Sequence, residues 1–258
     1  MKKTIYYENL SSEVLNSSPK PVEVDESYKY HHTNIFYRFF QGFYYRFVIF
    51  PIAFVYTKIL KRVKYKNKQC LKKHKKNAAF IYSNHTNAIL DAFSPSIVFK
   101  TSKPYVVVNS ANLNIPILKN STKMLGAVPI PTKTSGMKNF ISHIDFLVSK
   151  KRKIFIYPEA HLWEYYTKIR PFSSVSFKYP AKSNTAVFVS TTTYQKTKNP
   201  NKCKTVIYLD GPFFADTTLP IKEQQEQLKN MVFETMCSRA KNSTFEKYEY
   251  KPKETIND

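Results

Sequence analysis

Residues 78–91 read AAFIYSNHTNAILD, and the prediction of the fold starts from this stretch. Five apolar residues, AAFIY (78–82), precede a short polar segment and then a helix-like stretch near 88–99. A short apolar run bounded by polar residues is typical of a buried strand. The same order of strand and helix recurs along the rest of the chain. It predicts an α/β fold with a mainly parallel central sheet flanked by helices.

Further apolar, β-rich runs continue this pattern toward the C-terminus. They are YVVV (105–108), AVPI (127–130), KIFIY (153–157), AVFVS (186–190) and TVIYL (205–209). Helix-like stretches lie near 112–124, 136–149 and 173–183, and a last helix is predicted from Pro220 because proline suits a first helical turn. In such folds ligands bind beyond the carboxyl ends of the strands. Polar residues directly after the runs are therefore the candidates for chemistry.

Composition limits the classes of function. The 258 residues include 41 Lys and Arg against 18 Asp and Glu, a net charge of +23, which favours an anionic partner such as nucleic acid, anionic lipid or an acidic carrier protein. The four glycines form neither GxGxxG nor GxxxxGK[ST], which argues against a glycine-loop nucleotide fold. Three widely spaced cysteines indicate neither a metal ribbon nor a disulfide framework, so we expect a reducing, cytosolic environment and no metal site.

Three regions are predicted along the chain. Residues 1–34 are expected to be a flexible tail, because SSPKPVEVDES (17–27) combines proline, serine and acids without a period. Residues 35–76 are expected to form a helical, membrane-associating segment that ends in a basic block. Residues 77–258 are expected to form the α/β domain.

Phenylalanines within 35–60 recur at steps of three and four, which is typical of one face of a helix. They are Phe36, Phe40, Phe43, Phe47, Phe50 and Phe54. Pro51 is expected to kink or divide this helix. An amphipathic, aromatic helix favours the plane of a membrane interface, and a buried core helix is the alternative. Ten Lys or Arg and no acid follow over 58–76, a composition that attracts an anionic leaflet. We therefore expect peripheral or monotopic association with the cytoplasmic face of the membrane.

Two polar constellations follow predicted strands. His85 lies at the end of the first strand and Asp91 in the next helix. A histidine acts as a base from one ring nitrogen when a carboxylate holds the other, and Asp91 can do so if the chain turns after His85. YPEAH (157–161) places Glu159 at a second strand end, where it can orient a polar substrate together with basic residues such as Arg170. A solvated surface glutamate is the alternative interpretation of Glu159.

Four blocks, in the same order, resemble glycerolipid acyltransferases of the 1-acylglycerol-3-phosphate acyltransferase type. SNHTNAILDAF (83–93) looks like that family's Asn-His…Asp motif, and LGAVPIPT (125–132) looks like its Gly-x-Ile-x-x-x-Arg motif. IYPEAHLW (156–163) looks like its Pro-Glu-Gly-Thr motif, and TAVFVSTT (185–192) looks like the apolar strand that follows. The first and third blocks are specific in combination, and the likeness covers roughly residues 77–212.

The resemblance implies an enzyme. It would move a fatty acyl group from acyl-CoA or acyl carrier protein to the hydroxyl of a lysophospholipid-like acceptor, without a cofactor. His85 would be the general base and Asp91 would stabilise its imidazolium. Asn84 or backbone N–H groups would stabilise the oxyanion, and Glu159 would help to bind the substrate.

Departures from the motifs concern the acceptor. Five residues separate His85 from Asp91 where the common form has four, so a bulge is needed. Thr132 stands where the second motif has arginine, and Ala160-His161 stands where Gly-Thr is usual. Because the family is thought to hold the acceptor's phosphate there, we expect Lys133, His161 or Arg170 to substitute.

The expected partners are membrane lipid and a thioester donor, which includes an acidic acyl carrier protein drawn to the positive face. Two alternatives remain open. The altered motifs also fit a catalytically inactive lipid-binding relative. The charge and the aromatic residues fit a nucleic-acid-binding protein, but that interpretation leaves the blocks around His85 and Glu159 unexplained.

Overall fold

A computed structural model of the chain describes residues 2–14, 19–31, 34–99, 103–114, 122 and 124–253. These residues form nine strands: β1 (Lys3–Tyr7), β2 (Lys64–Lys66), β3 (Ala79–Ser83), β4 (Tyr105–Val108), β5 (Ala127–Pro129), β6 (Lys153–Ile156), β7 (Val187–Lys196), β8 (Cys203–Phe213) and β9 (Tyr248–Pro252). Seven of them make the central sheet in the order β2-β8-β7-β3-β6-β4-β5. Its neighbouring strands pair in parallel except β7 and β8, which are antiparallel. The predicted mainly parallel sheet is confirmed.

The α-helices of the described chain are α1 (Ile35–Tyr44), α2 (Phe50–Phe54), α3 (Ala88–Val98), α4 (Met137–Ser149), α5 (Lys178–Ser183) and α6 (Ile221–Ala240). The π-helical segments Tyr45–Ile49 and Val55–Leu60 join α1 and α2 into one helix, Ile35–Leu60, which we call the aromatic helix. Short 3-10 segments lie at Lys68–His74, Ser110–Asn114, Thr134–Gly136 and Val175–Phe177.

Both faces of the central sheet are buried, and β3 shows why its sequence is continuously apolar. Phe80 and Tyr82 point into one core layer, which they share with residues of α4, α5 and α6. Ala79 and Ile81 point into the other layer, which they share with α3 and the 3-10 segment Lys68–His74. Alternate residues of a strand face opposite sides, so a strand covered on both sides needs apolar residues throughout. Each large apolar side chain buried here contributes about 1.5–3 kcal/mol.

The aromatic helix continues through Pro51, so of the two predicted effects of this proline, a kink or a division, the division does not occur. Proline cannot donate a hydrogen bond and crowds the carbonyl one turn before it. The chain accommodates this with a wider turn, in which the Phe50 N–H bonds to the carbonyl of Tyr45, five residues earlier. The helix packs on α3, where the ring centroids of Tyr56 and Phe93 lie 5.6 Å apart. By length and composition it could cross a membrane, and only 11% of its most apolar window is buried.

The N-terminal region contains ordered structure where the sequence predicts a flexible tail. Lys3–Tyr7 pairs in parallel with Tyr248–Pro252 at the other end of the chain. Val24 is buried, and its N–H donates to the Thr132 hydroxyl at 2.9 Å. Local composition cannot reveal such pairing, because the partners lie far away in sequence.

The prediction of a helix near 112–124 is wrong for the part of this range that the structure describes up to Asn114. Ser110–Asn114 forms 3-10 turns instead of an α-helix, and residues 115–121 and 123 lie outside the described residues. The other predicted helices form within a few residues of their expected positions.

Candidate active site

The candidate site lies at the edge of the sheet where β3 and β6 end, which we call the carboxyl edge. Parallel pairing in the order β7-β3-β6 brings the segments that follow β3 and β6 side by side. The first segment is 84–87 and the second begins at Tyr157. Most of the predicted site residues therefore meet at one place, as the topology of the sheet requires.

His85 and Asp91 are in direct contact. The distance from His85 Nδ1 to Asp91 Oδ2 is 2.8 Å. Residues 84–87 are not helical, and Asn87 caps α3 by accepting a hydrogen bond from the Leu90 N–H at 3.0 Å. This non-helical turn absorbs the extra residue between the two side chains, so Asp91 in the first turn of α3 reaches back to the imidazole.

The Asp91 carboxylate is fixed by backbone groups. Besides the imidazole, Oδ2 accepts the N–H groups of Thr86 and Asn87, both at 3.0 Å. The carboxylate side chain is 4% exposed, whereas the imidazole side chain is 21% exposed. Within the described residues, Nε2 of His85 has no hydrogen-bond partner. The arrangement holds one ring nitrogen and leaves the other for a substrate.

Tyr157, which the sequence interpretation did not assign to the site, supports the same pair. Its hydroxyl donates to the Asp91 carbonyl at 2.7 Å, and its ring centroid lies 4.7 Å from that of His85. Burial, together with the negative charge of Asp91, raises the pKa of Tyr157 well above its usual value, so the phenol stays neutral and remains a donor. Its place directly after β6 was the signal available in the sequence.

Glu159 joins the two segments. Its Oε2 accepts the His85 N–H at 3.0 Å, and its Oε1 accepts the Arg170 N–H at 2.8 Å. The Arg170 guanidinium lies 3.5 Å from the same carboxylate, and both side chains are 1% exposed. Burial raises the pKa of Glu159, and the Arg170 charge opposes that rise. Glu159 is therefore part of a buried ion pair that positions the backbone of His85.

Arg170 also ties the N-terminal region to the site. It donates to the carbonyls of His161 and of Leu10, the latter at 3.4 Å. Its guanidinium lies 4.8 Å from the ring centroid of Trp163, whose indole N–H donates to the Ser12 carbonyl at 3.0 Å. Trp163, also missing from the predicted site, is fully buried. The N-terminal residues thus close over the segment that follows β6.

Asn84 connects the site to β7. Its amide nitrogen donates to the Thr192 carbonyl at 3.0 Å, and its amide oxygen accepts the Thr192 N–H at 2.8 Å. The residue is 2% exposed. Thr86 makes a second link, 2.9 Å from its hydroxyl to that of Tyr194. Both amide atoms of Asn84 are engaged by the backbone, and its predicted contact with substrate stays a prediction.

Lys133 is not brought into contact with this group of residues. It forms an ion pair with Glu23, and its side chain is 59% exposed.

His161 follows Ala160, whose φ of 64° lies in the left-handed region that favours glycine. This backbone conformation gives a physical reason why glycine suits that position. The roles predicted for Lys133 and His161 toward an acceptor stay predictions. Among the described residues, no three His, Cys, Asp or Glu side chains cluster as metal ligands would.

Comparison with known proteins gives a matching family model and a similar solved structure. The family model described as Acyltransferase matches residues 62–193, just over half of the chain. No curated protein matches. Among solved structures, the chain is similar to PlsC, the 1-acyl-sn-glycerophosphate (LPA) acyltransferase from Thermotoga maritima, with 13% sequence identity and a TM-score of 0.49. That similarity covers 80% of this chain and 94% of the other.

Proposed function

Because this chain belongs to the Acyltransferase family, we propose that it moves a fatty acyl group from a thioester donor to the hydroxyl of a lysophospholipid-like acceptor. The donor is acyl-CoA or acyl carrier protein. One observation carries the proposal: the 2.8 Å contact of His85 with Asp91 at the carboxyl edge, with the imidazole partly exposed and the carboxylate buried.

His85 acts as the general base. Its Nε2 takes the proton of the acceptor hydroxyl while the hydroxyl oxygen attacks the thioester carbonyl. The carbon–oxygen bond forms, the carbon–sulfur bond breaks, and the thiolate takes the proton back from the imidazolium. Asp91 accepts the Nδ1–H throughout, which fixes the tautomer and stabilises the imidazolium. General-base action of this kind contributes about 10²–10⁴-fold to the rate.

Glu159 and Arg170 position the base. Their side chains are almost completely buried, and Glu159 holds the His85 backbone, so a supporting role suits them better than contact with substrate. Fixing the position of the imidazole to within a fraction of an ångström favours the geometry in which the acceptor hydroxyl attacks the thioester carbonyl. Lys133, whose side chain is exposed, and His161, which is half-buried in the segment of Glu159, remain the candidates for the acceptor's phosphate.

We propose that the aromatic helix holds the enzyme at the membrane surface, on its cytoplasmic face. Its phenylalanines are exposed in the following fractions: Phe36 72%, Phe40 59%, Phe43 52%, Phe47 65% and Phe54 38%. Phe50 is half-buried. An exposed aromatic surface of this extent fits lipid rather than water. The basic block at 58–76 adds attraction to an anionic leaflet.

Substitution of His85 by alanine tests the reaction. Acyl transfer from an acyl thioester to a detergent-dispersed lyso-acceptor should fall by about 10²–10⁴-fold, because the base is lost. His74→Ala, a histidine beside Phe188 and outside the site, is the matched control and should retain activity. Full activity in His85→Ala would remove the base from the proposal. A wild-type protein that binds vesicles but transfers nothing would identify a catalytically inactive lipid-binding relative.

A further inference from the structure

A cavity of about 480 Å³ lies at the edge of the central sheet opposite the carboxyl edge. Its floor is formed where strands begin, at Tyr105 of β4, Ala127 of β5 and Arg152 directly before β6. One wall is the first part of α1. Because β3 is five residues long, about 16 Å of strand separates this edge from the carboxyl edge. The cavity is therefore separate from the candidate active site.

Positive charge surrounds the cavity without a counter-charge. Its lining includes five cationic side chains: Lys29, Arg38, Lys103, Lys150 and Arg152. None of the residues that line it, all within the described chain, is an aspartate or a glutamate. No described carboxylate lies within salt-bridge distance of any of the five. Elsewhere cations such as Arg239 do have acidic partners. The cavity is therefore suited to an anion.

Two titratable side chains that line the cavity have lowered pKa values, mainly because they are buried and partly because of neighbouring positive charges. Burial, with a contribution from Arg152, lowers the pKa of Lys103 to about 7. Burial, with contributions from His31 and Lys103, lowers the pKa of His143 to about 4. The Lys103 ammonium stays in place by donating to the Met124 carbonyl at 3.2 Å and lying over the Tyr105 ring. A bound anion would relieve both shifts.

The cavity continues into an apolar surface. Ile35 and Phe39 of α1 line it and are 73% and 66% exposed. Phe36 and Phe40, next to them on the same helix, are exposed to a similar degree. A ligand that fits both features has an anionic group for the cavity and hydrocarbon for the helix.

We propose that this cavity binds the phosphate group of an anionic membrane phospholipid, whose acyl chains lie along the aromatic helix. The inference rests on the membrane association proposed above. The bound lipid is not the acyl acceptor, since the cavity lies at the opposite edge of the sheet from His85. It anchors the start of the aromatic helix and fixes the orientation of the domain on the bilayer.

The test is partitioning of the full chain onto phosphatidylcholine vesicles with and without phosphatidylglycerol. At pH 6, where Lys103 is protonated because its pKa of about 7 lies above the pH, Lys103→Gln/Arg152→Gln should lower the partition coefficient on phosphatidylglycerol vesicles by roughly 25-fold, about five-fold for each charge. The matched control is Lys178→Gln/Lys222→Gln, which removes two exposed lysines of α5 and α6 that do not line the cavity. We expect the control to change by less than about two-fold. Equal losses in both variants would overturn the inference, because they would reflect overall charge.

A second variant is needed in case the substitutions at the half-buried Lys103 and Arg152 disturb folding. Arg38 and Lys150 are exposed at the rim, and Arg38→Gln/Lys150→Gln should also weaken binding to phosphatidylglycerol vesicles by more than the control does. Unchanged binding of that variant would overturn the proposal. Soluble glycerol 3-phosphate separates the sources of the phosphate. Failure to displace vesicles at millimolar concentration supports a lipid, and displacement overturns it in favour of a free phosphate ester.

The outcomes for the two proposals can be told apart. Wild-type protein that transfers acyl groups in detergent but shows no preference for phosphatidylglycerol overturns this inference alone. Wild-type protein that prefers phosphatidylglycerol but transfers nothing overturns the reaction alone. Absence of binding to any vesicle overturns the membrane association and the lipid site with it.

Discussion

The two edges of the central sheet differ in how their charges are compensated. At the carboxyl edge, Asp91 accepts three hydrogen bonds at one oxygen, and Glu159 faces Arg170 in a buried pair. At the opposite edge, Lys103 and Arg152 line a cavity without a described acid. Where the charged side chains neutralise one another, the protein itself fixes their positions. Where cationic side chains have no acidic partner, an anion from outside can neutralise them. This contrast separates the proposed chemistry from the proposed lipid binding.

The largest expected effect comes from Asp91→Asn. An amide cannot stabilise the imidazolium and can select the wrong tautomer of His85, so kcat should fall by roughly 10²-fold or more while the protein stays folded. Steady-state kinetics together with thermal unfolding check this. A variant that keeps its kcat would show that the organised carboxyl edge is not where the reaction takes place.

Removing one charge from each edge should affect the free energy of unfolding differently. Glu159→Gln leaves the buried Arg170 without its counter-charge and should lower the free energy of unfolding by about 3–5 kcal/mol. Lys103→Gln removes a repelled cation and should leave that free energy unchanged or raise it, as urea titrations at neutral pH would show. Glu249→Gln, in an exposed pair with Lys251, is the control and should change it far less. Equal destabilisation at both edges would contradict the contrast.

Acid should destabilise the fold through His143. Its pKa falls from 6.5 to about 4 on folding, because of burial and the facing His31 and Lys103, so the unfolded chain binds a proton that the folded chain does not. Stability is therefore lost as the pH falls from about 6.5 to about 4, by a contribution on the order of 3 kcal/mol. Unfolding of wild type and His143→Gln across this range isolates the contribution. Identical slopes for the two proteins would refute it.

The smallest expected effect concerns Ala160. A φ of 64° destabilises a residue that has a Cβ by about 1 kcal/mol relative to glycine. Ala160→Gly should therefore raise the free energy of unfolding by up to about that amount. Differential scanning calorimetry at neutral pH is sensitive enough. Ala186→Gly, in a segment whose backbone is not left-handed, should instead destabilise. A decrease in both variants would show that the left-handed turn is not strained.

Elements whose structure depends on neighbouring residues could be predicted from the sequence. The run at 78–82 gives β3 because burial on both faces requires uninterrupted apolar residues. The contact of His85 with Asp91 follows from the end of that strand and the cap at Asn87. In the same way, the phenylalanine period gives the aromatic helix.

Other features depend on partners that are distant in sequence. β1 forms only because β9 lies beside it, more than 240 residues later. Trp163 donates a hydrogen bond to the Ser12 carbonyl, and Tyr157 donates one to the Asp91 carbonyl. The position of Tyr157 directly after a strand marks it as a candidate, but the partner of neither side chain can be predicted from the neighbouring residues.

Mass spectrometry of the reaction products decides whether this protein transfers acyl groups to a lipid hydroxyl. Wild-type protein is incubated with a panel of lyso-acceptors and with acyl-CoA or acyl carrier protein. We predict that an acceptor gains one acyl group in place of a hydroxyl hydrogen, with an equal amount of free thiol released, and that His85→Ala does not form this product. Thiol release without an acylated acceptor, or equal product from both proteins, would contradict it.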